Sequence, residues 1–147
     1  EEAHWQGAKG IRSGIQSHAA IHNAGVEAAQ TARWSQAEQL FSAAILRSPE
    51  EPLSWIARGI SRSEQAKDDI AAADFRYAAS LYLKSGQTEV VEQLQTAAEA
   101  VQKRRKDASQ TVSGNGWGGQ ILNGMTSLAQ TLAPLAMKAL IPMGLGL

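Results

Sequence analysis

The sequence has no cysteine, few aromatic residues and little valine. Without cysteine, disulfides and thiolate metal sites are excluded. Aromatic residues make up only 5% of the 147 residues, and aromatic and β-branched residues are the ones that strands favour. Alanine is the commonest residue, and no run of about 18 apolar residues offers a transmembrane helix. The composition therefore predicts an all-α protein.

Charge is balanced in number but not in position. The chain has 14 Lys+Arg and 14 Asp+Glu residues, so its formal net charge is zero, which argues against a basic nucleic-acid-binding surface. Every acidic residue lies at or before Asp107, and Lys138 is the only charged residue after it. We therefore predict a helical domain over 1–106, a Gly-rich linker over 107–119 and an apolar C-terminal arm over 120–147.

Apolar spacing and breaker residues predict six helices in the first part. Ser48-Pro49 ends one helix and Pro52 begins the next, and Gly86 gives a C-terminal stop signal. In the helix before Gly86, Ile70 is predicted to face inward. The predicted helices cover 3–17, 18–31, 34–47, 52–64, 67–83 and 88–106.

A shift of 34 residues aligns the chain with itself. Small and large apolar residues recur in register, and Ile21 falls opposite Trp55. The matched pairs are Gly25 with Gly59, Ala37 with Ala71, Phe41 with Phe75, and Ala44 with Ala78. This period and pattern resemble the tetratricopeptide repeat (TPR) family, in which small residues allow two helices to approach and the Phe fills the space between units. The resemblance implies a TPR-like α-hairpin repeat array, an α-solenoid, over about residues 18–85.

The two units depart from the family pattern at several positions. Arg58 stands where the family has Leu, Ala28 and Arg62 where it has Tyr, and Leu83 where the unit ends in Pro. Only two units fit, whereas about three are normally needed for stability. We expect the helix at 88–106 to cap one end and the helix at 3–17 to cover the other.

The resemblance also implies a groove, because the first helix of each TPR unit lines a concave surface. The corresponding positions are mostly apolar, and the Lys, Arg and Asn set that grips a peptide carboxylate is missing. An amphipathic partner helix would suit such a groove, and so would the chain's own first helix or tail. The predicted groove residues are His22, Val26, Leu53, Ile56 and Ile60.

The C-terminal arm follows a linker with four glycines around Trp117 and carries apolar residues at helical spacing. It would be an aggregation hazard in water, so it must be buried against its own repeats, a neighbouring subunit or a membrane interface. A single Lys138 weakens the membrane alternative, and packing into neighbours is favoured. The predicted interface residues are Trp117, Ile121, Leu122, Met125, Leu128, Leu132, Leu135 and Leu140.

Candidate reactive or metal-binding groups do not assemble into a recognised site. His18 and His22 are four residues apart, a spacing that can bind a metal, but no Cys or HExxH pattern accompanies them, so no metal or cofactor is predicted. For Ser54 and Ser61 we expect no nearby base, and no phosphate loop is present.

Two groups of charged residues are interpreted as structural. The cluster 103–106 could contact phosphate, but its place at a helix end favours a role in balancing the helix dipole. Asp68, Asp69 and Asp74 are assigned to the start of a helix for the same reason.

These observations predict a non-enzymatic protein–protein interaction subunit whose arm packs into neighbouring subunits, in a homo-oligomer or a filament. The expected partners are then protein subunits, either copies of the chain itself or an amphipathic helix of a partner. A peripheral membrane adaptor with 120–147 in the lipid, and a chaperone-like carrier of an amphipathic client helix, remain as alternatives. Glu1 in place of Met indicates a processed or trimmed chain, which fits a secreted or cell-surface protein without excluding a cytoplasmic or virion one.

Overall fold

The computed structural model describes residues 17–108 and 136–143, and every regular element in these two ranges is helical. The prediction of an all-α protein is confirmed. The predicted helix at 3–17 lies outside the described residues except for Ser17. The helices are α1 (His18–Gln30), α2 (Trp34–Arg47), α3 (Pro52–Glu64), α4 (Asp68–Lys84) and α5 (Thr88–Ala108), followed by one helical turn at 136–139.

Two of the helix starts, those of α1 and α3, follow from local capping chemistry. The Ser17 hydroxyl accepts a hydrogen bond from the Ala20 N–H, which satisfies one of the free amides at the start of α1. Pro52 occupies the first turn of α3, and the Glu51 carboxylate accepts from the Leu53 N–H. α5 continues to Ala108, slightly beyond the predicted end at 106.

Three tight turns between helices share one backbone conformation. Positions 32, 66 and 86 all have positive φ, at 60°, 63° and 80°, and the first two are alanines separated by the 34-residue period. In each turn the N–H of the following residue bonds back to a carbonyl in the last turn of the preceding helix. These bonds run from Arg33 to Ala28, from Lys67 to Arg62 and from Gln87 to Tyr82, at 2.9, 2.9 and 3.0 Å.

Each helix packs against the next one along the chain, and α1 also contacts α3. Two glycines permit close helix crossings. A Cβ added to Gly25 would lie 2.6 Å from the Phe41 ring, and one added to Gly59 would lie 2.7 Å from the Phe75 ring. The α1–α2 and α3–α4 pairs therefore use the same contact, a Phe ring set directly on a glycine.

The core is a continuous stripe of small and medium apolar side chains along the helix interfaces. Its fully buried members include Ala37, Phe41, Ala44, Ala71, Phe75 and Ala78, six of the predicted packing residues. Trp55 is only partly buried and packs at the edge of this core.

The prediction for Ile70 is wrong, since 42% of that residue is exposed. Ala71 and Ala72 face the neighbouring helices instead, and both are fully buried. Small residues allow the closer approach of α4 to its neighbours, and Ile70 is left at the edge of this interface. No helix among the described residues is long and apolar enough to span a bilayer.

Candidate peptide-docking site

Residues 136–143 of the arm lie against the first and third helices of the same chain. The Ala139 carbonyl accepts a hydrogen bond of 2.8 Å from Nε2 of His22, and Ala139 itself is fully buried. Ala136 and Leu140 pack against the common core on either side of it. We call this contact surface the docking site, and we define it by His18, His22, Asn23, Leu53 and Ser54.

Asn23 holds the end of the docked segment through its backbone. Its Nδ2 donates to the Met143 carbonyl at 2.8 Å, and its Oδ1 accepts from the Met143 N–H at 2.5 Å. One side-chain amide thus satisfies both main-chain groups of one arm residue, as a neighbouring strand would. The docking site recognises the arm by main-chain groups at two positions and by the small size of Ala139.

A chain of hydrogen bonds positions His22 from its Nδ1 side, opposite the nitrogen that binds the arm. Nδ1 of His22 lies 2.9 Å from Oγ of Ser54, which in turn lies 2.7 Å from Nε2 of His18. Because the Ala139 carbonyl can only accept, we assign the His22 hydrogen to Nε2. Nδ1 of neutral His22 then accepts from the Ser54 hydroxyl, and the Ser54 oxygen accepts from His18. The chain therefore runs from His18 through Ser54 and His22 to the arm.

Burial keeps both imidazoles neutral. Burial lowers the pKa of His22 to about 4, although the hydrogen bond to the Ala139 carbonyl acts in the opposite direction. Burial also lowers the pKa of His18, and the negative charge of Glu51 opposes this. The lowered pKa of each histidine agrees with hydrogen bonds that run between neutral imidazoles.

The conclusion that Ser54 has no base nearby is wrong, because two imidazoles lie within hydrogen-bond distance of its oxygen. The 34-residue period could have indicated this contact, because it places Ser54 opposite position 20, midway between His18 and His22. Ser54 and His22 are nevertheless fully buried. An imidazole with a pKa of about 4 is a weak base at neutral pH, so this arrangement joins the arm to the helices rather than exposing a nucleophile.

Hydrogen bonds within the protein engage the histidine pair whose spacing can also bind a metal. Both ring nitrogens of His22 are engaged by Ser54 and Ala139. Within 17–108 and 136–143 there is also no group of three or more His, Cys, Asp or Glu side chains that could hold a metal ion.

The predicted groove residues fall into two groups. Val26 and Ile56 are fully buried and Ile60 is 5% exposed, so with the arm in place these three offer no open surface. Leu53 reaches the surface, where it lines a pocket of about 440 Å³ together with Met137 and Ile141 of the arm.

Of the predicted arm residues, the structure describes Leu140, which is partly buried against the core. The others lie outside the described residues. These are Trp117, Ile121, Leu122, Met125, Leu128, Leu132 and Leu135.

An ionic network joins α2, α3 and α4 beside the docking site. Arg58 binds Asp74 with two parallel hydrogen bonds of 3.0 and 2.9 Å, and Arg62 bonds to the same carboxylate at 3.1 Å. Arg62 also donates to Glu38 at 2.8 Å. The Arg58 guanidinium lies 4.9 Å from the centroid of the Trp55 ring. The two arginines that depart from the TPR pattern thus share one buried acid.

The carboxylates of this network respond differently to their surroundings. Burial opposes ionisation of Glu38, but hydrogen bonds from Arg62, Lys67 and Gln65 outweigh it and lower its pKa to about 2. Burial raises the pKa of Asp74, and the hydrogen bonds and charges of Arg58 and Arg62 act against that rise. Asp74 lies in the middle of α4 rather than at its start, so the dipole explanation given for it is wrong.

Arg104 has a structural role within the basic cluster 103–106. It forms an ion pair with Asp68, and its Nη2 donates to the Ser63 carbonyl at 3.0 Å. The paired side chains are only 11% and 5% exposed, so this arginine fastens α5 to the turn between α3 and α4.

The site can bind a short peptide segment through its backbone, with a small residue entering between α1 and α3. Comparison with known proteins adds no relative. No family model, no curated protein and no solved structure matches this chain. The contacts within the chain therefore provide the basis for a functional proposal.

Proposed function

We propose that this chain is a non-enzymatic assembly subunit with a TPR-like body, and that its C-terminal arm docks on the body of a neighbouring copy. The observation that carries the proposal is the built docking site. His22 and Asn23 bind main-chain groups of Ala139 and Met143, and Ala139 is completely buried. Such a site recognises a defined segment instead of covering apolar surface nonspecifically.

Several repeated features support a TPR-like arrangement. Ala32 and Ala66, one period apart, share the left-handed conformation that a turn normally reserves for glycine or asparagine. Gly25 and Gly59 each receive a Phe ring from the following helix. The two helix pairs are thus built alike down to their turns, as repeat units are, and α5 covers the end of the second pair.

The connection between body and arm supports exchange between copies. Residues 109–135 join α5 to the docked segment, and a chain of that length can span on the order of 90 Å when extended. The same contacts can therefore form within one chain or between two. An arm donated to a neighbour gives a heterologous contact, which propagates into a ring or a filament. A tether favours the chain's own site in dilute solution, so exchange should increase with concentration.

The test measures mass by light scattering or sedimentation from micromolar to about millimolar concentration. The parent chain should form larger species as concentration rises. Ala139→Arg places a long cation at a fully buried arm position and should leave a monomer. Met137→Arg is the matched control, since Met137 is 66% exposed in the docked arm and should behave like the parent.

Two results would contradict the proposal. One is a parent chain that stays monomeric over the whole concentration range. The other is assembly that survives Ala139→Arg unchanged, because the assembling surface would then lie elsewhere. Far-ultraviolet circular dichroism of each variant checks that the helices remain folded.

A second candidate, a peripheral membrane adaptor, is favoured by one observation. Met137 and Ile141 are 66% and 50% exposed on the docked segment beside Lys138, so an apolar surface with one cation faces outward. Flotation with anionic vesicles separates the two candidates. Membrane binding requires Met137→Arg to weaken flotation, whereas assembly through the docking site leaves it without effect.

A further inference from the structure

The hydrogen-bond chain from His18 to the arm connects the docking site to two titratable groups. Ser54 links the two imidazoles, and its single hydroxyl hydrogen can point to only one of them. When both imidazoles are neutral, the Ser54 hydroxyl hydrogen points to His22, and His22 donates to the Ala139 carbonyl. In that state both ring nitrogens of His22, the Ser54 hydroxyl and Nε2 of His18 have partners, and the arm supplies the last acceptor.

We propose that the docking site is a pH-sensitive latch, in which protonation of His18 and His22 releases residues 136–143. The inference rests on the docking site of the proposed function and specifies its regulation. It applies equally to an arm from the same chain and to one from a neighbour, because the contacts are the same.

Proton uptake conflicts with the geometry of the chain. Once both imidazoles are protonated, Nδ1–H of His22 and Nε2–H of His18 both point at the Ser54 oxygen. The Ser54 hydroxyl hydrogen then has neither imidazole as an acceptor. The two ring centroids are 5.8 Å apart, so two positive charges also repel one another in a buried space.

Little nearby charge compensates for these protons. Glu51, the N-cap residue before α3, is the acidic group that acts on His18, and it favours the charged form. On α2, the group packed on His22 is the Phe41 ring, at 5.1 Å, which carries no charge. On the described part of the arm, Lys138 is the charged residue, and its side chain is exposed. Undocking relieves the conflict because it opens His22 to water.

The sign of the pH dependence follows from the depressed pKa of His22. The folded pKa is about 4 and the ordinary value is 6.5. Docking is therefore at full strength above pH 6.5, weakens as the pH falls through this window, and reaches its minimum below about pH 4. If undocking returns the pKa of His22 most of the way to its ordinary value, docking should be on the order of tenfold or more weaker at pH 4.5 than at pH 7.5.

The experiment is amide hydrogen exchange on the full chain between pH 7.5 and pH 4.5, corrected for intrinsic exchange. The Met143 amide donates to Asn23, and its protection reports docking directly. We expect its protection factor to fall about tenfold or more over this range. Amides at Leu94 and Val101, which are fully buried in α5, should keep their protection. The His22 ring resonances, followed in the same samples, should titrate together with the loss.

Variants identify the titrating group. His22→Gln can still donate to the Ala139 carbonyl but cannot take up a proton, so protection of Met143 should become nearly independent of pH. The matched control is His4→Gln, which removes the remaining histidine of the chain and should leave the parent response intact.

Each outcome decides a distinct question. Protection of Met143 that stays constant in the parent, or falls while the His22 resonances do not change, overturns the latch and leaves the docking site standing. A response in His22→Gln equal to that of the parent also overturns it. Absence of protection at pH 7.5 overturns the docking site itself, and with it the proposed function. Should His22→Gln fail to dock, the resonance titration of the parent still decides the question.

Discussion

At the scale of single residues, two glycines set the distance between paired helices. The Phe41 ring occupies the place where a side chain on Gly25 would begin, and Phe75 does the same at Gly59. Any larger residue must displace a fully buried aromatic ring, which the surrounding close packing resists.

Gly25→Ala should therefore destabilise the fold by about 1–3 kcal/mol. This is opposite to the gain of roughly 1 kcal/mol that the same change gives at an unobstructed helix position. Denaturant unfolding followed by circular dichroism measures the difference. In the double variant Gly25→Ala/Phe41→Leu, the smaller side chain makes room, so the combined loss should be less than the sum of the single losses. Strict additivity, or a stabilising Gly25→Ala, would refute the close-contact explanation.

Some residue positions could be predicted from the sequence and others could not. Gly25 and Phe41 stand out because the 34-residue shift pairs them with Gly59 and Phe75. Ile70 was misassigned because helical spacing alone does not say which of two adjacent positions faces the neighbouring helix. The partners of Ser54 were missed because the imidazoles lie 32 and 36 residues away, and only the packing of α1 beside α3 brings them together.

At the scale of elements, α2, α3 and α4 are joined by an ionic network that the first repeat unit lacks. One period earlier, the positions of Arg58, Arg62 and Asp74 are held by Ala24, Ala28 and Leu40. The second unit has thus exchanged a set of apolar residues for a complementary set of charges. The separate departures from the TPR pattern at Arg58 and Arg62 are parts of one change.

Asp74→Ala should be strongly destabilising, by about 2–4 kcal/mol, because it leaves Arg58 and Arg62 largely buried without their shared carboxylate. Thermal unfolding near neutral pH measures the loss. The compensating variant Arg58→Leu/Asp74→Leu introduces the leucine of the TPR pattern at one position and copies Leu40 at the other. It should recover much of the stability. A double variant as unstable as Asp74→Ala would show that the charges themselves, and not the satisfaction of buried groups, stabilise the interface.

The helix limits could largely be predicted from the sequence, because strong local signals mark them. Pro49, Pro52 and Gly86 fix helix ends through backbone geometry that tertiary contacts cannot override. The ionic network could not be predicted in the same way, since Arg58 and Asp74 are 16 residues apart and belong to different helices. A comparison of the two units position by position, including charged residues, would have indicated it.

At the scale of the whole molecule, the sequence predicted that an uncharged arm must be buried but left open where. Residues 109–135 are long enough to allow several destinations, so no local rule could choose among them. The structure places 136–143 on α1 of the same chain through His22 and Asn23, beside Leu53 of α3. The structure therefore describes the contacts of the docking site, and the remaining question is which copy of the arm occupies it in an assembly.

Cross-linking between single-cysteine variants answers that question most directly, because the chain has no cysteine of its own. Leu53 on the body and Ile141 on the arm line the same pocket, so Leu53→Cys and Ile141→Cys place one thiol on each side of it. The two variants are mixed at high concentration and treated with a short bismaleimide. Exchange of arms predicts a cross-linked dimer of the two variants, and Ala139→Arg in the arm donor should abolish it. A double Leu53→Cys/Ile141→Cys chain that cross-links only within itself, with no dimer from the mixture, would contradict assembly through the arm.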